Sequence, residues 1–111
     1  MQVRSNRLGV ATYLTPDGAL VEENLTDLEK EVQAARAAGA SNLVVDLHRV
    51  TFCDSPSLEY LLDLCTSLRE EGGSLRLAAA QSTTKEVLTI TRLDQSIPVY
   101  DDLESAGRSF L

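Results

Sequence analysis

Basic residues are scarce in this chain, and cysteine and histidine are scarcer. Ten Lys and Arg stand against seventeen Asp and Glu, giving a net charge of −7 over 111 residues. Such a chain lacks the positive surface that attracts nucleic acid or an anionic membrane. It fits a basic protein partner, and equally an ordinary soluble acidic domain. No apolar run approaches the ~18 residues of a membrane span. Met1 to Arg7 lacks the apolar core of a signal peptide. A cytoplasmic protein with no membrane insertion is therefore expected. Cys53 and Cys65 are too few for a disulfide scaffold and lack a metal-ligand spacing. They read as free thiols, Cys65 on an apolar helical stripe. His48, the one histidine, reads as a loop or strand-end residue. There is no Gly-rich phosphate loop. The carboxylates sit mainly on expected helix exteriors, with no pair placed to split its pKa values. Neither an enzyme, a metal site nor a cofactor is expected.

The informative stretch runs from Asn42 to Gly73. Leu43-Val44-Val45-Asp46-Leu47 reads as a strand buried on both faces. After a short link, Asp54-Ser55-Pro56-Ser57-Leu58 opens a helix over 56–71. Leu58, Leu61, Leu62, Cys65 and Leu68 form its inward stripe, with Tyr60 and Leu64 on the flank. Pro56 suits the first helical position, which makes Ser55 the expected N-cap with Asp54 just outside. Ser57 then reads as an exposed first-turn residue. Gly72-Gly73 ends the helix, and a strand over 74–79 follows.

On either side the pattern continues. Leu8, Val10, Thr12 and Leu14 alternate with smaller or polar residues, predicting a strand near 9–14, with a shorter one at Val3–Asn6 before it. Thr15-Pro16-Asp17-Gly18 has the composition of a turn. A helix over 25–38, starting near Asn24 to Thr26, is expected from Leu25, Leu28, Val32 and Ala35, with Thr26 and Glu29 at capping-box spacing and a stop at Gly39. Ser82-Thr83-Thr84 offers a cap for a short helix to Thr91, with Val87, Leu88 and Thr91 inward. Ile97 to Tyr100 reads as an edge strand. Asp101 and Glu104 cap a last helix whose narrow face is Leu103, Ala106 and Phe110. Strands alternating with helices predict one α/β domain over 1–111.

Several of these residues together resemble the STAS domain family, and within it the bacterial anti-sigma factor antagonists. They are Val44 to Leu47, Phe52-Cys53-Asp54-Ser55, Leu58 and Gly72-Gly73, then Glu86-Val87-Leu88 with Thr91-Arg92-Leu93, then Val99 to Ala106. The resemblance implies a small mixed β-sheet with helices packed mainly on one side. It implies a regulatory binding protein whose partners are an anti-sigma factor that is also a serine kinase, and a phosphatase. Phosphorylation beside the aspartate would break the complex. The family motif there is Asp-Ser-Ser/Thr-Gly-Leu, with the second hydroxyl residue as the usual acceptor. Here that position is Pro56. Ser55 matches the acceptor of the stressosome branch, and Ser57 stands at the usual glycine position, so both are candidate phosphorylation sites. Partner binding is expected at Asp54, Ser55, Pro56, Ser57, Glu59, Tyr60 and Asp63. A phosphate on Ser55 would meet free N–H groups at Ser57 and Leu58. Three alternatives remain open at this stage: a domain that works by binding alone, a stressosome-like or transporter-associated STAS subunit, and a small-ligand binder.

Overall fold

A computed structural model describes all 111 residues. Six strands and four helices follow in order: β1 (Gln2–Leu8), β2 (Ala11–Leu20), α1 (Leu25–Ala37), β3 (Asn42–Asp46), β4 (Val50–Cys53), α2 (Ser55–Glu70), β5 (Ser74–Ala78), α3 (Ser82–Ile90), β6 (Val99–Tyr100) and α4 (Leu103–Arg108). The sheet is mixed. Only β1 runs antiparallel to its neighbour, and the order is β1-β2-β3-β5-β6. Where β3 ends, β4 takes over as the parallel partner of β2, against Gly18 to Leu20.

Strand alternation sends Leu43 and Val45 to one face of the sheet and Val44 to the other. The first face carries the main core, where α1, α2 and α3 contribute Leu28, Val32, Leu61, Leu68 and Leu88. The second face is thin. There Ala11, Val44 and Ala78 meet Ala106 of the six-residue α4. The helices thus lie mainly on one side, as the fold class implies.

Several local expectations are corrected. The chain reverses at Gly9-Val10, with Gly9 in the left-handed region at φ +60°, and Thr15 to Gly18 continue β2. Pro16 survives inside a strand because it faces the gap between two ladders: β3 pairs with Thr12 to Leu14, and β4 begins at Gly18. The strand β4 was hidden within the link after β3, because only Val50 and Cys53 of its four residues are buried. Asn24, at the early end of the expected start, is the residue that precedes α1, so the Thr26/Glu29 capping box is corrected. Its amide carbonyl takes the Val21 N–H (3.1 Å), and its own NH2 donates to the Ala19 carbonyl (2.7 Å). In α2, Leu64 is buried and Leu62 only half so, the reverse of the expected flank and stripe. Gln81 precedes α3 without a side-chain cap, and Thr91 is exposed. Asp102, not Asp101, caps α4, accepting the Ser105 N–H at 2.7 Å.

Candidate functional site

The turn from β4 into α2 lies at the carboxyl end of the parallel strands, beside the end of β2. The Asp54 N–H donates to the Leu20 carbonyl (3.2 Å), which pins the turn to β2. Asp54 itself is the N-cap, in extended conformation at φ −88° and ψ 173°. Its Oδ1 accepts the Ser57 N–H at 3.0 Å, and its backbone carbonyl accepts the Leu58 N–H at 3.1 Å. Ser55 therefore occupies the first helical position and Pro56 the second, one step later than expected. Proline is tolerated there because the early N–H groups of a helix have no intrahelical acceptor. The expected free donors at Ser57 and Leu58 are both taken by Asp54.

Asp54 also reaches sideways. Its Oδ2 accepts the Glu22 N–H at 2.9 Å, at the start of a single 3-10 turn, Glu22–Asn24, that leads into α1. One carboxylate so holds two segments that are 32 residues apart. Partial burial pushes the Asp54 carboxyl up, but hydrogen bonds from the Ser57 and Glu22 N–H groups outweigh it, and the carboxyl titrates below its ordinary value. A group with a depressed folded pKa contributes stability above its unfolded value and loses it as pH falls through the folded one. The Glu22 and Ser57 amide shifts are therefore expected to follow a titration whose midpoint lies below 3.8, the ordinary value. A midpoint at or above that value, followed by NMR titration, contradicts the two hydrogen bonds to the Asp54 carboxylate.

The candidate residues separate by exposure. Ser55 is exposed, and Pro56 is half-buried. Ser57 is fully buried, and its hydroxyl makes no hydrogen bond, so the expectation of an exposed residue there is corrected. Its burial was readable: Ser57 stands four residues before Leu61 and extends the buried row backwards. Glu59 and Asp63 are exposed on the outer face of α2. Tyr60 is half-buried and packs against the main core on the α1 side. Burial, with the Glu29 charge beside it, raises its hydroxyl to about 12. Cys53 is buried just before the cap, and burial, with the Asp54 charge next to it, raises its thiol to about 11. His48 lies in the turn between β3 and β4. Its Nδ1 is 2.8 Å from the buried Asp46 carboxylate, which also accepts the His48 N–H and the Thr15 hydroxyl.

The family model for the STAS domain matches residues 3–106. The chain belongs to the STAS domain family. A Bordetella bronchiseptica protein, BtrV, provisionally named an anti-sigma factor antagonist, is 29% identical over 93 residues, covering 84% of this chain and 80% of its own. A Thermotoga maritima protein with the same provisional name superposes with a TM-score of 0.88 at 24% identity, covering 96% of this chain and 92% of that one. The Bacillus cell fate determinant SpoIIAA in its phosphorylated form superposes with a TM-score of 0.72 at 16% identity, covering 97% and 99%. The two structural likenesses establish the STAS fold. No helix of this STAS domain is long and apolar enough to cross a membrane.

Proposed function

We propose that this STAS domain is a non-catalytic anti-sigma factor antagonist that binds an anti-sigma factor with serine kinase activity and is switched by phosphorylation at Ser55. The observation that carries the choice of residue is the ordering of the turn. Pro56 has no hydroxyl, Ser57 is sealed in the core, and Ser55 alone of the three presents a hydroxyl to solvent. The chemistry is ordinary phosphoryl transfer. The Ser55 Oγ attacks the γ-phosphorus of ATP, the bond to the β-phosphate oxygen breaks, the hydroxyl proton leaves to the kinase base, and ADP departs. A phosphatase returns the hydroxyl by hydrolysis. BtrV and SpoIIAA bear the name anti-sigma factor antagonist, and the family match over most of the chain makes the same role the leading one here. Glu59 and Asp63 continue the exposed surface along α2 and would face the partner.

The test is incubation with a cognate anti-sigma serine kinase and ATP, followed by mass-spectrometric mapping. Phosphate on Ser55, abolished in Ser55→Ala, is the expected result. Undiminished incorporation in Ser55→Ala contradicts the assignment. A domain that binds the partner equally with and without kinase treatment, and takes no phosphate, is the binding-only STAS subunit for which Pro56 would be the marker.

A further inference from the structure

A phosphate on Ser55 enters a crowded place. Of the first backbone donors of α2, Pro56 has none, and Asp54 already takes the Ser57 and Leu58 N–H groups. A new anion that seeks the Ser57 N–H competes with the Asp54 carboxylate, and it repels that carboxylate from the adjacent residue. The Asp54 carboxylate is also the only side chain that bonds the Glu22 N–H, at 2.9 Å. Other bonds hold the rest of that connection. The Asn24 N–H reaches the Val21 carbonyl (3.0 Å), and the Asn24 side chain closes on Val21 and Ala19. Losing the Asp54 bond would therefore release Glu22 locally and leave α1 in place.

We infer that Asp54 is a relay: charge placed on Ser55 displaces its carboxylate and loosens the Glu22–Asn24 turn between β2 and α1. The relay rests on the switch reading for its biological use, but its mechanics do not depend on any kinase. Glu22 and Glu23 are exposed acidic residues at the same end of the sheet as Ser55. A partner that docks across this end would meet two altered segments, though only one is modified. Asp54 is a positioning residue in this scheme and does not itself accept phosphate.

The experiment compares amide hydrogen exchange in the intact protein, unmodified and with phosphoserine installed at position 55 during synthesis. Exchange at the Glu22 amide is expected to accelerate on the order of tenfold, the loss of one charge-assisted hydrogen bond. The Leu77 amide, bonded to the Pro98 carbonyl within the sheet, should not change. Asp54→Asn supplies the second arm. It keeps one acceptor oxygen for the cap and loses the second, so Glu22 should already exchange fast, and phosphoserine at 55 should add nothing further. Unchanged Glu22 exchange in the phosphoprotein overturns the relay. So does an acceleration of equal size with and without Asp54→Asn. Failure of a kinase to modify Ser55 removes the switch reading and leaves this result standing.

Discussion

Phosphoserine at position 55 is expected to weaken binding to the anti-sigma partner by ~100-fold or more, about 3 kcal/mol, while the fold survives. The two halves of that expectation have separate causes. In the free protein Ser55 is exposed, so its phosphate stays hydrated and costs little. Its neighbour Asp54 and the net charge of −7 oppose it, both screened by water. At an interface the dianion loses its water, and without a matching cation the desolvation cost is several kcal/mol. Ser55→Ala should bind like the unmodified protein in the presence of kinase and ATP. Since Asp54 and not Ser55 is the cap, Ser55→Ala should also keep its stability within ~0.5 kcal/mol. Calorimetry of the phosphoprotein and of Ser55→Ala against the partner decides both points. Equal affinity for the phosphorylated and unphosphorylated forms would refute the switch at this residue.

The long elements were legible because their patterns are redundant. The run Leu43–Leu47 and the row Leu58, Leu61, Cys65 and Leu68 each repeat one period several times, so no single residue decides the reading. Turns and caps rest on one or two residues, and there several residue types satisfy the same local rule. Asp54 and Ser55 are both good caps, and only the contacts to Ser57 and Glu22 separate them. Thr15-Pro16-Asp17-Gly18 has turn composition, yet the strand-wide pairing of β1 from Gln2↔Asp17 to Leu8↔Ala11 outweighs it and moves the reversal to Gly9. The bond from Asp54 to Glu22 joins distant segments, and no local pattern announces such a contact.

Gly73→Ala is expected to destabilise the domain by more than ~3 kcal/mol, a large part of the 5–15 kcal/mol that holds a domain of this size together. Gly73 follows α2 and donates its N–H to the Leu68 carbonyl at 2.7 Å, which closes the helix. The next residue, Ser74, donates to the Ser41 carbonyl at 3.0 Å and opens β5 beside β3. A Cβ on Gly73 would fall far inside van der Waals contact with the Ser41 carbonyl oxygen, 2.9 Å from the carbonyl carbon and 3.2 Å from Cα. These are backbone atoms and have no rotamer to escape into. Relief requires parting β3 from β5, two inner strands of the sheet, at Asn42↔Ser74, the first pair of their ladder. Gly72 supplies the control. It sits at φ +82° with open space around its missing Cβ, so Gly72→Ala should cost only the ~1–2 kcal/mol of left-handed backbone. Thermal melts should place Gly73→Ala ~10 °C or more below the parent. If Gly73→Ala melts no lower than Gly72→Ala, then β3 and β5 do not approach as closely at Ser41 as the structure has them.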